Sequence, residues 1–362
     1  MSGRKPSPRA LRATDGAAPS FSQRLIVWQR THGRHGLPWQ DTRDPYRIWL
    51  SEIMLQQTQV AAVIPYYERF IAAFPDVQAL AHAPVARVLE HWSGLGYYRR
   101  AHHLHAAARI VVARHGGSFP RDAATLALLP GIGRSTAAAI AVFAFGARAA
   151  ILDGNVKRVL ARHRGVAGYT GNGKVEAHLW ELAEEALPAR DGETYTQAVM
   201  DLGATLCTRT RPDCASCPVA DDCMARVQGR VDELPSPRPR KTLPQRALRV
   251  LLLERNGEIL LERRPPVGIW GGLLSLPELP LDADVQATVK TRFGASVAPG
   301  AQLPPIAHGF THFALTLHPQ WMTVRRWAPR AESPGLIWMT LADARHAALP
   351  APIHKLLRSL ER

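Results

Sequence analysis

The sequence lacks three features that would assign it to a membrane or to a secreted scaffold. It has no run of the roughly eighteen consecutive apolar residues that a membrane-spanning helix needs. It has no apolar signal segment near its start, and no cysteine outside residues 207–223. The first absence argues against a membrane protein, and the other two argue against a small disulfide-rich secreted protein. We therefore expect a cytoplasmic protein with reduced thiols.

Acidic residues are few. The 30 Asp and Glu residues are outnumbered by 45 Lys and Arg, which gives a net charge of +15 and a pI of about 10.4. Such an excess of positive charge points to a polyanionic partner such as nucleic acid. The length of 362 residues favours two domains, each with enough apolar residues for a core. Residues 1–20, rich in Ser, Pro, Ala and Arg, are predicted to be a disordered basic arm.

The chain changes texture near residue 228. Residues 21–227 show apolar residues at three- and four-residue steps, for example in 48–64, which predicts an all-α domain. Residues 228–245 contain several prolines among basic residues and are predicted to be a linker. Residues 246–362 are predicted to form a separate α+β domain.

Short elements are predicted within that second domain. Two β-prone runs, 247–253 and 258–262, are separated by Asn-Gly, which is a strong hairpin signal. One helix is predicted over residues 285–293. The remaining predictions are a strand pair at 313–317 and 320–326 and a closing helix near 353–360.

All the cysteines lie in one short segment. Cys207, Cys214, Cys217 and Cys223 follow the spacing C-x6-C-x2-C-x5-C. Four thiolates so close in sequence can ligate a 4Fe–4S cluster. A tetrahedral zinc site also accepts four cysteines, although its usual signature has two separate C-x2-C pairs. Two disulfides are the third alternative.

Two loop motifs carry further chemistry. The sequence Leu-Pro-Gly-Ile-Gly-Arg-Ser-Thr at 129–136 places Gly131 and Gly133 before a predicted helix. Such a loop can bind a DNA phosphate through backbone N–H groups, or it can be an ordinary turn between helices. In Ile-Leu-Asp-Gly-Asn-Val-Lys-Arg at 151–158, Asp153 precedes a helix. It is suited to capping that helix, and capping does not exclude catalysis.

The loop at 129–136 with the downstream aspartate resembles the helix-hairpin-helix, Gly/Pro-Asp superfamily of DNA glycosylases. The cysteine segment fits the branch of that superfamily that carries an iron–sulfur cluster. Leu-Pro-Trp-Gln at 37–40, Trp-Leu-Ser-Glu-Ile-Met-Leu-Gln-Gln-Thr-Gln-Val at 49–60 and Gly-Leu-Gly-Tyr-Tyr at 94–98 look like the adenine DNA glycosylase family. This resemblance runs from about residue 23 to the C-terminus.

The resemblance implies a fold, a substrate and a cofactor. The fold is an all-α helix-hairpin-helix DNA glycosylase domain with a 4Fe–4S loop, followed by an α+β Nudix-like domain. The partner is double-stranded DNA in which adenine is mispaired with 8-oxoguanine or guanine, and the protein is expected to be a monomer. The cofactor is the 4Fe–4S cluster. Loop residues Arg209 and Arg211 would then meet phosphates.

The resemblance also implies the catalytic pair. Glu52 would be the general acid that protonates the purine, with its pKa raised in a desolvated pocket among Trp39, Trp49 and Leu55. Asp153 would stay ionised and stabilise the cationic sugar, as paired carboxylates do in glycoside hydrolysis. Without the family context, a glutamate on an amphipathic helix is more often a solvated surface group.

Further residues follow from the resemblance, although each could instead serve packing or the surface. Base extrusion from the duplex needs groups that fill the gap, and Gln57 and Tyr97 match that role. Trp39, Gln40 and Gln197 match contacts to adenine, and Gly131, Gly133 and Lys157 match the grip on the minor groove. Endonuclease III-like enzymes have a lysine where this chain has Ser135. Because a serine cannot form an imine, we predict a monofunctional glycosylase.

The second domain resembles a Nudix fold without Nudix catalysis. Trp270-Gly271-Gly272 follows the second predicted strand, but residues 288–294 lack the glutamates that would hold magnesium. Phe310-Thr311-His312 stands where the family recognises 8-oxoguanine through Phe-Ser-His. Three alternatives to the leading hypothesis stay open: a bifunctional glycosylase/lyase, a non-catalytic DNA-damage-binding protein, and a nucleotide pyrophosphatase.

Overall fold

The computed structural model describes residues 19–239, 242–265, 268–328 and 335–360. The predicted N-terminal arm lies outside the described residues except for residues 19 and 20. The described part divides into two compact units, one drawn from Met1–His35 and Gly146–Arg238 and the other from Gly36–Phe145 and Pro239–Arg362. No helix within the described ranges has the length and apolar character to cross a membrane.

Helices make up the described part of the chain before residue 228. They are α1 (Phe21–His32), α2 (Pro45–Leu55), α3 (Val60–Ala73), α4 (Val77–His82), α5 (Val85–Trp92), α6 (Arg99–His115), α7 (Ala123–Leu126), α8 (Arg134–Phe145), α9 (Gly154–His163), α10 (Gly173–Glu185), α11 (Gly192–Thr205) and α12 (Met224–Val227). This confirms the predicted all-α character of the region.

Polar side chains fix where several helices begin. Ser20 forms a capping box with Gln23 at the start of α1. Asp44 accepts a hydrogen bond from the backbone N–H of Tyr46 at the start of α2, where Pro45 is the first helical residue. The helical pattern noted over 48–64 is divided between two helices, because α2 ends at Leu55 and α3 begins at Val60. The backbone of Gln57, at φ 58°, cannot continue a right-handed helix.

The first unit is packed around α9, α11 and α1, and it buries one ion pair. Leu25, Leu160 and Leu202 are at most 1% exposed and belong to the apolar core. The side chain of Asp201 on α11 is 0% exposed and lies 2.6 Å from the guanidinium of Arg34. Arg34 also donates to this carboxylate from its backbone N–H, at 2.8 Å. The segment after α1 is therefore tied to α11 by an ion pair whose carboxylate is fully buried and whose guanidinium is half-buried.

The second unit combines α2–α8 with a sheet. The sheet contains β1 (Gln245–Arg255), β2 (Glu258–Arg263), β3 (Leu274–Ser275), β4 (Glu278–Leu279), β5 (Ala295–Gln302), β6 (Ile306–Gly309), β7 (Ala314–Trp327) and β8 (Leu336–Thr340). The main path is β3-β2-β1-β7-β5, with β4 on β1, β6 on β7 and β8 on β2. Among the strands of the described residues, β1 and β7 pair in parallel and the other pairings are antiparallel, so the sheet is mixed.

Several predicted elements of the β-domain are confirmed. The Asn256-Gly257 turn joins β1 to β2 with φ values of 51° and 81°, as a tight hairpin requires. The predicted helix is present as α13 (Val285–Phe293). It is followed by α14 (Leu341–His346) and by the predicted closing helix, α15 (Ala351–Ser359).

The strand pair predicted at 313–317 and 320–326 is wrong. Both segments belong to one strand, β7. Pro319 lacks an N–H donor, but its carbonyl accepts from the backbone N–H of Leu303 at 2.9 Å, so the strand continues through it. The strands β5 and β6 were not predicted, because β5 shows no regular alternation of buried and exposed residues and β6 has only four residues, none of them fully buried.

The helical and β parts of the second unit are in contact. The hydroxyl of Tyr98, just before α6, donates to the carbonyl of Leu349 at 3.2 Å. The Nε2 atom of His102 on α6 lies 2.9 Å from the carbonyl oxygen of Gly271. The start of α6 is thus anchored to two loops of the β-domain.

We expect Asp201→Asn to lower the free energy of unfolding by about 2 kcal/mol, because it removes the fully buried carboxylate that accepts charged hydrogen bonds from the half-buried Arg34. Urea unfolding monitored by circular dichroism measures this change. Asp191→Asn is the control, since Asp191 also pairs with an arginine, Arg30, but both side chains are at least half exposed. The control should lose less than about 1 kcal/mol. Equal losses in the two variants would show that burial of the Arg34–Asp201 pair contributes nothing.

Candidate active site and DNA-binding loops

The four cysteine thiols face one cavity in the first unit. The cysteine loop (residues 207–223) runs from α11 to α12, and its four thiols are free of disulfide bonds. All four line a cavity of about 30 Å³ together with apolar side chains, among them Val159, Leu202 and Val219. The loop has therefore gathered the residues that the sequence spacing singled out.

The chemistry of this cavity suits a thiolate-ligated group. Burial raises the pKa of the Cys217 thiol to about 11, and it also raises the pKa of the Cys214 thiol. Among the described residues no group of three or more His, Cys, Asp or Glu side chains is close enough to hold a single metal ion as it stands. Four sulfur donors around an apolar cavity fit an iron–sulfur cluster, and a bound cluster would supply the positive charge that keeps buried thiols ionised.

Two arginines of α9 donate hydrogen bonds to the backbone at the start of the cysteine loop. Arg158 donates to the carbonyl oxygens of Cys207 at 2.7 Å and Gly203 at 2.6 Å. Arg162, only 3% exposed, donates to the carbonyl of Thr208 at 2.6 Å and lies 3.5 Å from the Cys207 sulfur. Helix α9 therefore fixes the first part of the loop through backbone carbonyls.

Asp153 stands at the other end of the same helix. It is the N-cap of α9, and its Oδ1 accepts from the backbone N–H of Val156 at 2.7 Å. Burial raises the pKa of Asp153, whereas the backbone N–H groups of Val156 and Asn155 and the charge of Arg158 oppose that rise. The predicted capping role is confirmed. The arrangement leaves a half-buried carboxylate whose negative charge is stabilised mainly by a helix N-terminus.

Two other predicted residues of the first unit are engaged within the protein. The ammonium of Lys157 lies 2.8 Å from Glu176 Oε1. The amide of Gln197 donates to Asp201 Oδ1 at 2.8 Å, which connects it to the buried pair with Arg34. Lys157 would have to exchange its partner to reach a phosphate, whereas Gln197 is held in a fixed orientation.

In the second unit, Glu52 lies on α2 between two apolar neighbours. It is half-buried, and spacings of three residues place Trp49, Glu52 and Leu55 along one side of the helix. The Trp49 side chain is fully buried, with its ring 5.2 Å from that of Phe119. The raised pKa expected for Glu52 stays a prediction.

Trp39 and Gln40 occupy the loop before α2. The Trp39 ring meets the Tyr67 ring edge-on, with centroids 5.3 Å apart. The side-chain oxygen of Gln40 accepts from the backbone N–H of Leu37 at 3.0 Å. Both side chains are half-buried, so each keeps part of its surface for a ligand.

Gln57 and Tyr97 share an unusual conformation. Both have positive φ, 58° for Gln57 and 49° for Tyr97, in a region of backbone conformation that residues other than glycine rarely adopt. Both are exposed, and Tyr97 is 51% accessible. We refer to these two residues as the wedge. An exposed aromatic ring and an exposed amide held on tight turns are suited to entering a base stack.

The helix-hairpin-helix motif is formed by α7, the loop after it and α8. Gly131 has φ 78°, and a side chain there would also collide with His103. Gly133 faces open space just before α8, and Ser135 is the second residue of α8. The side chain of Gln56 approaches the Gly131 carbonyl and the Thr136 hydroxyl, at 3.4 Å each. The hairpin thus lies beside the loop that carries Gln57.

Phe310, Thr311 and His312 form the tip of the hairpin between β6 and β7, which we call the recognition hairpin. Thr311 and His312 are exposed. The Phe310 ring stacks on Phe313, with centroids 4.5 Å apart, and it also contacts Trp270 at 5.4 Å. Packing therefore holds Phe310, while Thr311 and His312 face solvent.

Some residues that shape these loops were not identified from the sequence. Arg100 is almost fully buried and contacts both loops of the wedge, and Asp201 orients Gln197. The sequence contains many arginines, so nothing marks Arg100 as buried. A lone aspartate four residues after a glutamine on a helix likewise gives no signal beyond a local pair.

Two regions of the chain match known protein families. Residues 50–185 match the HhH-GPD superfamily of base excision DNA repair proteins, and residues 249–359 match the NUDIX domain family. A solved structure described as a thermostable thymine-DNA glycosylase is 30% identical, with a TM-score of 0.52, and the match covers 57% of this chain and 95% of that one. The chain is therefore a base-excision DNA glycosylase of the helix-hairpin-helix class with a Nudix-like second domain.

Full-length relatives define the family more closely. The adenine DNA glycosylase of Buchnera aphidicola subsp. Acyrthosiphon pisum (strain APS) is 33% identical, over 94% of this chain and 98% of that protein. The adenine DNA glycosylase of Rattus norvegicus is 35% identical, over 98% of this chain and 80% of that protein. The chain belongs to the adenine DNA glycosylase family and is a hydrolase of N-glycosyl bonds in DNA.

At neutral pH, we expect the free energy of unfolding of Asp153→Asn to equal or exceed that of the wild type. Asparagine caps helices as well as aspartate does, so the substitution removes only the charge. Because burial raises the pKa of Asp153, its contribution to stability is fully present below the ordinary aspartate pKa of 3.8 and is lost as pH rises through the raised value. Urea unfolding from acidic to neutral pH measures the difference, which should shrink toward low pH.

Asp122→Asn is the matched control, because Asp122 caps α7 in the same way. Hydrogen bonds from Thr125 lower the pKa of this exposed carboxyl, so its contribution to stability is present at neutral pH and lost in acid. The control should therefore be less stable than the wild type at neutral pH. If Asp153→Asn behaved like Asp122→Asn, burial would not dominate the environment of Asp153.

Proposed function

We propose that this protein removes adenine mispaired with 8-oxoguanine, or with guanine, by hydrolysis and leaves an intact abasic site. The observation that carries the proposal is the half-buried carboxylate of Asp153 at the N-terminus of α9, whose pKa desolvation raises, in a chain of the adenine DNA glycosylase family. The helical region, residues 21–227, would perform the reaction, and residues 246–362 would recognise the opposite base. Residues 228–245 would connect them.

The proposed reaction uses two carboxyl groups with different roles. Glu52 donates a proton to the purine, which converts adenine into a neutral leaving group as the C1′–N9 bond breaks. The sugar is left as an oxocarbenium ion, and the ionised Asp153 stabilises its positive charge. Water then adds to C1′ and releases a proton, which gives the abasic sugar and free adenine.

The target base has to leave the duplex before this reaction. The wedge would fill the space that the base vacates, while Trp39, Gln40 and Gln197 would contact the extruded adenine. Backbone N–H groups around Gly131 and Gly133 would hold a phosphate, and Lys157 would add a charge if it exchanged Glu176 for DNA. The exposed Thr311 and His312 of the recognition hairpin offer donors and acceptors to an 8-oxoguanine.

A monofunctional reaction is favoured by the residue at position 135. A lyase needs an amine that attacks the sugar and forms an imine, and the hydroxyl of Ser135 cannot do so. A damage-binding protein without catalysis is the remaining alternative. Such a protein would need neither Glu52 nor Asp153. A desolvated carboxylate such as Asp153 costs stability, so its presence favours an enzyme.

The cofactor proposed for the cysteine loop is a 4Fe–4S cluster held by Cys207, Cys214, Cys217 and Cys223. When bound, the cluster would cross-link the loop and fix its shape. Arg209 and Arg211, which are exposed on this loop, would then meet DNA phosphates. We propose a monomer in the cytoplasm, where thiols stay reduced.

The function is tested with a labelled duplex that contains adenine opposite 8-oxoguanine. After incubation with the protein, one half of the sample is treated with hot alkali, which cuts the strand at abasic sites. We expect cutting only after alkali, and we expect Glu52→Gln to lower the single-turnover rate by at least about a thousandfold, since it removes the acidic proton. Glu68→Gln, on α3, is the control and should keep the wild-type rate.

Two results would contradict the proposal. Strand cutting without alkali would show a lyase that uses another amine. No cutting in either half, from protein with full cluster content, would favour a damage-binding protein.

The cofactor is tested by metal analysis of anaerobically purified protein. We expect iron and inorganic sulfide in equal amounts, and we expect Cys217→Ala to lose both. Because the loop would lose its shape, the variant should also bind undamaged duplex more weakly and with a smaller salt dependence. Zinc without sulfide would refute the cluster. Unchanged DNA binding after its loss would refute the role of the loop in holding phosphates.

A further inference from the structure

The two residues of the wedge need support, because neither conformation is favourable alone. Gln57 and Tyr97 lie in the left-handed region, at φ 58° and 49°. Residues other than glycine are disfavoured in this region because their Cβ clashes with the backbone. The two turns are also about forty residues apart in sequence, so no local interaction can hold them in register.

Arg100 contacts both turns at once. It is the second residue of α6 and is 8% exposed. Its Nη1 atom donates to the carbonyl oxygens of Ile53 at 2.9 Å, Met54 at 2.8 Å and Gln56 at 2.5 Å. Its Nη2 atom donates to the Thr58 hydroxyl at 3.1 Å and to the Gly96 carbonyl at 3.3 Å. One guanidinium therefore binds residues on both sides of Gln57 and the residue before Tyr97.

The same guanidinium also lies near aromatic rings. Its central carbon is 5.4 Å from the centroid of the Tyr97 ring and 5.4 Å from that of Trp92. Burial lowers the pKa of Arg100 to about 10, so the group still carries its charge at neutral pH. A cation near the Tyr97 ring restrains the side chain of that residue as well as its backbone.

The partners of Arg100 explain why a buried cation is tolerated. Ile53 and Met54 belong to the last turn of α2, whose carbonyl groups have no partners within the helix. A positive charge there interacts favourably with the negative end of the helix dipole. Four carbonyls and a hydroxyl, drawn from both turns, accept hydrogen bonds from one planar group. Lysine cannot replace it, because an ammonium presents its donors from a single point.

We propose that Arg100 is the positioning residue of the wedge: it holds Gln57 and Tyr97 in one arrangement, so that both enter the duplex together when the adenine is extruded. This inference rests on the proposed role of Gln57 and Tyr97 in base extrusion. Arg100 itself acts through these two residues. Its loss should therefore impair base extrusion and leave the grip on the DNA backbone in place.

The test compares Arg100→Lys and Arg100→Met with Leu80→Ala, a control substitution in the core that also lowers stability. Leu80 is fully buried on α4 and belongs to neither turn. Each full-length holoprotein is tested on a duplex with adenine opposite 8-oxoguanine and with 2-aminopurine next to the target, whose fluorescence rises when the stack opens. The single-turnover rate, affinity for undamaged duplex and melting temperature are measured on the same preparations.

We expect both Arg100 variants to lose the fluorescence rise and to excise adenine about a hundredfold more slowly, with Arg100→Met the slower of the two. Affinity for undamaged duplex should stay close to that of the wild type. Leu80→Ala, at a similar loss of melting temperature, should keep both the fluorescence rise and the rate. If Leu80→Ala lost both to the same extent, or if Arg100→Met kept both, the positioning role would be refuted.

A separate pair of variants tests the underlying role of the wedge. Gln57→Ala and Tyr97→Ala should each lose the fluorescence rise if these residues enter the duplex. If both kept it, the proposed role of the wedge would fail, and the inference about Arg100 with it. If they lost it while Arg100→Met kept it, the wedge would stand and only the inference about Arg100 would fail.

Discussion

The proposed reaction depends on the carboxylate of Asp153, which is half-buried and held at the N-terminus of α9. Burial opposes the charge of this group, and the backbone N–H groups of Asn155 and Val156 supply most of what stabilises it. Solvent screens the charge of such a partly desolvated carboxylate less than it screens the charge of an exposed one. It is therefore suited to stabilise a positive charge that develops nearby, which is what the departure of a base from a deoxyribose creates.

Helix α9 joins this carboxylate to the cysteine loop. Asp153 caps its first turn, while Arg158 and Arg162 on the same helix donate to backbone carbonyls of residues 203–209. The position of the helix therefore depends on the order of the loop, and the loop lies against the helix that carries the carboxylate. In this account a bound cluster would contribute to the reaction through structure, because the four cysteines would take its ligand positions and leave none for water.

Sequence patterns predicted the features that arise from local chemistry. The Asn256-Gly257 hairpin, the helix over Val285–Phe293 and the capping role of Asp153 are all local, and all three are present. The resemblance of motifs supplied the fold class and the family.

Features that depend on tertiary packing were missed or wrong. The break between α2 and α3 depends on the left-handed backbone of Gln57, which residues distant in sequence support. The continuity of β7 through Pro319 depends on its neighbours in the sheet. Arg100 could not be identified from the sequence, because its hydrogen-bond partners are carbonyl groups that come together only when the chain folds.

The single-turnover rate of adenine excision by Asp153→Asn, measured across the acidic to neutral pH range, tests the central claim most directly. The account predicts a rate at least about a thousandfold below that of the wild type at neutral pH, with affinity for the mispaired duplex retained, because the cap remains and only the charge is lost. It also predicts that the wild-type rate falls in acid with a midpoint above the ordinary aspartate pKa, since burial raises the pKa of Asp153. A variant that excised adenine at the wild-type rate would show that the buried charge has no part in the reaction.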